Sequence, residues 1–423
     1  MIDGAVSTSG GPRGGRHARH SAAGSGRNYH LGRRIAIVAT AIVSVTCLVG
    51  WGYAWAEYRN FNTGFHSEHL AVAPVTRAPS STAADGKATK VDGVDENFLV
   101  VGMDTRDGIS DELRKKLHLG SNASMSTDTI MVIHVPADGS RATMISIPRD
   151  SYVDIPGGYL KNKINAAYAD AYTLQDPNGT PKVKQQNGAN ELIATVSQLT
   201  GLPINHYVQV GFGGFYKIAK AVKSIPVTLC GDVDDSFARH RLAGESGGSG
   251  FKMTAGRHDL TPVQAVEFVR QRHFLNGGDL SREKRQQYFM RAVFNEVATA
   301  GTLLNPLAVN DLIDAIHGAF YVDDNNFSIV KFAEQLSDLS AGNIKGHVIR
   351  TSDARVTIGT MTGQSVQLVD PVKVKAQIAK WLAAPATPKP TKSHTPGSSS
   401  PGSSTSSSPS SSSGSKVLPG CVN

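Results

Sequence analysis

Cysteine is scarce. Three residues in 423, Cys47, Cys230 and Cys421, exclude a disulfide-dense scaffold and a four-cysteine zinc site. The 14 histidines show no metal-ligand spacing. The Gly-x-Ser-x-Gly string at 244–248 (GESGG) lies in a Gly-rich stretch rather than between a strand-like and a helix-like run, which leaves a serine hydrolase without support. Gly244–Gly250 (GESGGSG) lacks the Lys-Ser/Thr of a phosphate cradle and reads as a flexible loop. Strong overall charge is missing too. The net +8 comes from 43 Lys and Arg against 35 Asp and Glu, and the first 34 residues alone hold six arginines against Asp3. The mild surplus elsewhere argues against a basic coat for nucleic acid, and no helix-turn-helix or basic recognition helix is visible. There is no internal repeat.

What is present begins with a long apolar run. Residues 35–56 (IAIVATAIVSVTCLVGWGYAWA) carry no charge and suffice to cross a bilayer, which takes about 20 helical residues. Arg33 and Arg34 precede the run, and Trp51, Tyr53 and Trp55 sit at its far end. This predicts a retained single anchor, with a basic tail (1–34) in the cytoplasm and the remainder outside the membrane. A cleaved signal peptide has a shorter apolar core. Residues 57–94, polar and containing Pro74 and Pro79, predict a spacer with little core of its own. Globular composition runs over 95–384. A Ser- and Pro-rich flexible tail occupies 385–415, and 416–423 regains apolar residues around Cys421. With Cys47 in the membrane segment, Cys230 and Cys421 are expected to pair on the oxidising outer face.

Within the globular part, strand-like runs at 98–101 (FLVV), 129–135 (TIMVIHV) and 142–147 (ATMISI) alternate with helix-like stretches at 164–172, 188–199, 215–223, 262–268 and 281–298. FLVV has no polar alternation and is expected to be buried on both faces. The alternation predicts a layered α/β domain with helices on the faces of a sheet.

Charged residues gather at strand ends. Asp104 and Arg106 follow the first strand, Asp128 precedes the second, and Arg149 and Asp150 follow the third. In α/β sheets this is where ligands bind. A second cluster lies at 261–286 (TPVQAVEFVRQRHFLNGGDLSREKRQ). Thr261 and Pro262 read as N-cap and first helical position. Residues 269–272 read as extended, placing Arg270 and Arg272 on one face. Ser281 reads as the cap of a helix that carries Arg282 and Gln286 on one stripe. Two carboxylates suit a hard cation and several arginines suit phosphate, the combination required by a diphosphate bound with magnesium.

The blocks VGMDTR, STDTIM, SIPRDSYVDIP, KINAAYA, HYVQVGFGGF and VRQRHFLNGGDLSREKRQQ, in this order over about residues 98–295, resemble the LytR–CpsA–Psr family of cell-envelope proteins. The resemblance implies an α/β/α domain with a central mixed sheet on the outer membrane face of a Gram-positive cell. It implies a phosphotransferase that moves a glycopolymer from a polyprenyl diphosphate carrier to peptidoglycan through a phosphodiester. Asp104 and Asp128 match aspartates that hold Mg²⁺ (or Mn²⁺). Arg149, Arg270, Arg272, Arg282 and Gln286 match diphosphate contacts, with Asp104, Arg149, Arg270 and Arg272 in the catalytic set. Arg106, Asp150, Lys163 and Asp279 match motif positions of an orienting or unassigned kind. Two departures stand out. Ser126 occupies a position that is often Arg, and residues 107–125 lengthen the gap between the two aspartates, as a lid or, in preference, a surface insertion. Tyr207, Val208, Val210, Phe212, Phe215, Ile218 and Val222 are candidates for a prenyl channel or for ordinary core. A carrier-binding module, a diphosphatase and an envelope-linked transcription regulator are the alternatives. The polymer itself, whether teichoic acid, capsule, arabinogalactan or glycoprotein glycan, stays open.

Overall fold

The computed structural model describes residues 66–74, 94–106, 109–119, 125–137, 141–222, 225–236, 248–271, 273, 279–299, 318–324, 344–383 and 420–422. The basic tail, the expected anchor at 35–56 and the Ser-rich tail at 385–415 lie outside the described residues. Among the described residues, no helix is long and apolar enough to cross a membrane.

In chain order the strands are β1 (His66–Glu68), β2 (Glu96–Met103), β3 (Thr127–Val135), β4 (Ala142–Ser146), β5 (Ser151–Val153), β6 (Asn162–Lys163), β7 (His206–Val210), β8 (Ile225–Leu229), β9 (Val233–Asp234), β10 (Lys252–Met253), β11 (Gly256–Leu260), β12 (Phe320–Asp323), β13 (Ile344–Val348), β14 (Ser352–Ile358) and β15 (Met361–Leu368). The helices are α1 (Asp111–Lys116), α2 (Ala166–Leu174), α3 (Pro181–Thr200), α4 (Phe212–Ala221), α5 (Pro262–Arg270), α6 (Asp279–Thr299) and α7 (Pro371–Leu382).

Seven strands form one sheet in the order β1-β12-β7-β2-β3-β4-β13. It is mixed: β2 pairs parallel with β7 and antiparallel with β3, and β4 pairs antiparallel with β3 and parallel with β13. All eight residues of β2 are buried, as its lack of polar alternation requires. Leu99, Val101 and Met103 point to one core together with Ile130, Val132 and Ile145, closed by Tyr168 of α2, Leu192 and Val196 of α3 and Ile378 of α7. Phe98 and Val100 point the opposite way, to Met131, Ile133 and Met144, against which Met290 of α6 packs. Helices therefore cover both faces of a central mixed sheet. Each fully buried Val, Leu or Ile side chain contributes roughly 1.5–3 kcal/mol, so the double-sided centre is where the sheet is held most firmly.

Local signals set the helix ends. Thr180 caps α3 through Val183 N, Pro181 takes the first turn, and Gly201 closes the helix at φ 74°. Thr261 and Gln264 form a reciprocal capping box at the start of α5, followed by Pro262.

Four expectations need correction. The segment 57–94 is not wholly a spacer: β1 pairs with β12, and Leu70 is buried in the first core. Val269 and Arg270 are not extended, because α5 continues through Arg270; Arg272 lies outside the described residues. Ser281 does not begin the last helix of the motif, since α6 starts at Asp279. Residues 107–125 are not a loose surface insertion: α1 is capped by Ser110, and Leu117 and Leu119 enter a third core with Phe215 of α4, Phe268 of α5 and Phe289 of α6.

Near the far end of the chain, Val422 bridges to Leu229 in parallel. Its N–H donates to Thr228 O at 2.9 Å, and Cys230 N donates back to Val422 O at 3.1 Å. A disulfide joins Cys230 to Cys421 across 191 residues of sequence.

Candidate active site

The site starts with an irregularity in the sheet. Gly102 pairs with Thr129 and Met103 with Thr127, so Asp128 is an extra residue on β3 with no partner on β2. A bulge of this kind re-aims a side chain, and bulges concentrate beside active sites. Gly102 is required on the facing strand: a Cβ there would lie 2.9 Å from the Thr129 Cβ. The bulge and the end of β2 bring Asp128 and Asp104 to one cavity of about 240 Å³. Phe212, Phe215, Arg270, Arg282, Gln286, Asp235, Ser249 and His273 complete its polar and aromatic lining.

Asp104 and Asp128 are held by cations behind them. Arg106 Nε lies 3.4 Å from Asp104 Oδ1, and Arg149 Nη1 donates to Asp128 Oδ1 at 2.6 Å. Arg149 Nε is also 3.6 Å from Asp150, whose other oxygen is 3.0 Å from Lys163 Nζ. Asp128, Arg149, Asp150 and Lys163 thus form a row of alternating charge along the loop after β4 and on to β6. Burial raises the Asp104 carboxyl above the ordinary range; Arg106 opposes this, the Asp128 charge adds to it, and Arg270 also opposes it. Those couplings place both carboxylates and Arg270 within electrostatic reach of one another.

Arg270 is the last residue of α5. Its Nη1 donates to Leu117 O at 2.7 Å, and its guanidinium lies 5.1 Å from the Phe212 ring centroid. The 107–125 segment therefore positions a site residue through a backbone carbonyl. Arg282 and Gln286, one turn apart on α6, are both buried and line the cavity. Arg285 is fully buried on the same helix, donates to Gln271 Oε1, and stacks 4.7 Å from the Phe268 centroid. Burial pushes its pKa down to about 10.

Several expected residues stand differently. Arg149 is not among the side chains that line the cavity; it sits on Asp128 from behind. Arg272 and the side chain of Asp279 lie outside the described residues. The candidate channel residues do not form one surface. Tyr207 belongs to the first core and Val208 to the second, whereas Val210 and Phe215 belong to the third with Phe212, Ile218 and Val222 packed against it, and Phe212 and Phe215 reach the cavity. The GESGGSG loop contributes Gly248 and Ser249 to the lining. Sequence reasoning missed His273 and Asp235. His273 is visible inside RQRH, but nothing in the sequence ties it to an aspartate 38 positions away.

The chain is 35% identical over 318 residues to the cell wall biosynthesis protein LcpA of Corynebacterium glutamicum, covering 72% of this chain and 57% of that protein. It is 27% identical over 285 residues to the polyisoprenyl-teichoic acid–peptidoglycan teichoic acid transferase TagU of Bacillus cereus, covering 67% of this chain and 77% of the relative. The chain spans little more than half the length of the corynebacterial relatives it matches. In fold it resembles B. subtilis TagV, with a TM-score of 0.50 at 20% identity, over 68% of this chain and 97% of that structure. The sequence matches the LytR_cpsA_psr family over residues 70–380, and the chain belongs to that family.

Proposed function

We propose that this protein is a cell-envelope phosphotransferase. It takes a glycopolymer from a polyprenyl diphosphate carrier and joins it to a peptidoglycan hydroxyl through a phosphodiester. The observation that carries this reading is the single cavity that brings two aspartates and two arginines together at the ends of β2 and β3. At about 240 Å³ it is smaller than the ~300–1,000 Å³ of a drug-sized pocket, which suits a charged head rather than a whole glycan. The names of its relatives, one a teichoic acid transferase acting on peptidoglycan, point the same way.

Arg270 and Arg282 are suited to the diphosphate. Arginine presents a planar fork of donors to phosphate oxygens; Arg270 is already positioned by the Leu117 carbonyl and the Phe212 ring, and Arg282 is buried in the lining. Arg149 keeps Asp128 aimed at the cavity. Preorganised positive charge of this kind is the main means of accelerating phosphoryl transfer, because little covalent chemistry is left to the protein. Asp104 and Asp128 fit a divalent cation. Among the described residues no group of three or more His, Cys, Asp or Glu gathers to cage one, and Mg²⁺ characteristically takes one or two carboxylates with substrate phosphates completing its shell. Bound there, Mg²⁺ or Mn²⁺ supplies further charge neutralisation on the phosphate oxygens. The anchor at 35–56 would keep the site close to the lipid carrier.

The test is incubation of the full chain with a synthetic polyprenyl-diphosphate disaccharide and peptidoglycan fragments, with and without Mg²⁺, read by mass spectrometry. The expected product is a phosphodiester-linked conjugate that needs the metal. Release of glycan phosphate without a conjugate would instead mark a diphosphatase, and an untouched donor would contradict both.

A further inference from the structure

The cavity holds a second pair of residues, His273 and Asp235. His273 Nδ1 lies 3.1 Å from Asp235 Oδ1. Asp235 is completely buried, whereas the His273 side chain keeps 30% of its surface exposed. The aspartate is fixed from several directions. Its Oδ2 accepts from Ser249 N at 3.0 Å, its N–H donates to Phe251 O at 2.8 Å, and its carbonyl accepts from Gly250 N at 2.9 Å. The buried Arg285 contributes a favourable charge. His273 is fixed through its backbone as well: its carbonyl accepts from Gln271 Nε2 at 3.0 Å, and Gln271 in turn accepts from Arg285.

A carboxylate only accepts hydrogen bonds. Nδ1 therefore carries a proton, and in the neutral ring Nε2, at the opposite edge, is the basic nitrogen. A buried carboxylate that fixes the tautomer and orientation of a partly exposed imidazole is the arrangement of a general base and its orienting partner. Both residues line the same cavity as Asp104, Asp128, Arg270 and Arg282. Asp104 is a weaker candidate for the base, because it is occupied by Arg106 and suited to the cation.

We propose that the His273–Asp235 pair is the proton acceptor for the sugar hydroxyl in the transfer, with His273 catalytic and Asp235 positioning it. This rests on the phosphotransferase reading above. The hydroxyl oxygen forms a new bond to the phosphorus that bears the glycan, and its proton passes to His273 Nε2. The bond from that phosphorus to the bridging oxygen breaks, and the electron pair leaves on the polyprenyl monophosphate beside the arginines. The imidazolium, stabilised by Asp235, then returns its proton to solvent. No oxidant, reductant or covalent enzyme intermediate is involved.

The experiment compares the full-length protein with His273→Gln, His273→Ala, Asp235→Asn and Arg270→Ala. Transfer is measured from the polyprenyl-diphosphate disaccharide to peptidoglycan fragments, and donor affinity is measured on the same disaccharide. General base catalysis is worth about 10²–10⁴ in rate. Both His273 variants should lose transfer by at least about 10² with donor affinity unchanged, and added imidazole should restore part of the loss in His273→Ala alone. Asp235→Asn should lower kcat with KM unchanged. Transfer by both His273 variants within about threefold of wild type, while Arg270→Ala is impaired, overturns the pair and leaves the phosphotransferase reading standing. Normal transfer by all the variants overturns both.

Discussion

The two walls of the cavity are built on different principles. The carboxylate wall, Asp104 and Asp128 with Arg106 and Arg149 behind them, consists of ion pairs at the ends of sheet strands. Its side chains keep 14–24% of their surface exposed. The helical wall is Arg270, Arg282 and Gln286, with Arg285 beside them on α6; a backbone carbonyl and a ring hold Arg270, an amide and rings hold Arg285, and apart from Arg270 these residues are buried. Arg106 and Arg149 sit against the carboxylates at 3.4 and 2.6 Å, whereas Arg270 and Arg282 line the cavity itself. The comparison therefore assigns anion binding chiefly to the helical wall, and cation binding and alignment to the strand wall.

The largest effect should come from removing the arginine that lines the cavity at the end of α5. Arg270→Ala should lower transfer by about 10²–10³ with the fold intact by circular dichroism, and Asp128→Ala should weaken the dependence on Mg²⁺. Next is the support of the helical wall from the 107–125 segment. Leu117 is fully buried, and Leu117→Ala should cost about 2–5 kcal/mol of stability, measured by urea unfolding of the full chain. A loss below about 1 kcal/mol would mean that the segment is not part of the core.

A smaller effect concerns Glu267, buried on α5 one turn before Arg270. Burial pushes its carboxyl from an ordinary 4.5 up to about 7, against a weaker opposite pull from Arg270. The folded protein therefore holds this proton more tightly than the unfolded chain, so its stability falls as pH rises from about 4.5 to about 7 and stays reduced above that. The penalty is at most about 3 kcal/mol. Glu267→Gln should raise the melting temperature at pH 8 and leave it nearly unchanged at pH 4. An equal gain at both pH values would contradict the burial account. The smallest effect is expected at Arg114 on α1, which pairs with Asp111 at 2.8 Å in an exposed position. Such pairs contribute about 0–1 kcal/mol, and Arg114→Ala should leave both transfer and stability within error.

The strand wall was far more legible in the sequence than the helical wall. Runs such as FLVV and TIMVIHV declare buried strands directly, and the aspartates at their ends follow at fixed offsets. The bulge that aims Asp128 was not visible, because register depends on the partner strand. On the helical side, Thr261-Pro262 announced α5, but its continuation to Arg270 did not show. Packing of Ala265, Val266, Phe268 and Val269 into the third core outweighs the β-branched character that suggested an extended run. The 107–125 segment looked like an exterior insertion because its apolar residues are few and scattered: among the described ones, Leu117 and Leu119 enter the core, and Ile109 and Leu113 pack against it. The Asp235–His273 contact spans 38 residues and depends wholly on tertiary placement.

The central claim is that both walls act on one diphosphate. A double-mutant cycle on Arg149→Ala and Arg270→Ala tests it most directly, with initial rates of transfer from the polyprenyl-diphosphate disaccharide measured for wild type, each single variant and the double variant. Groups that act on one ligand as a unit are not additive. The account predicts a large loss in each single variant and a double variant that loses markedly less than the product of the two, a coupling of about 0.5–3 kcal/mol. Losses that simply multiply, or near-normal transfer by both single variants with folding verified, would contradict it.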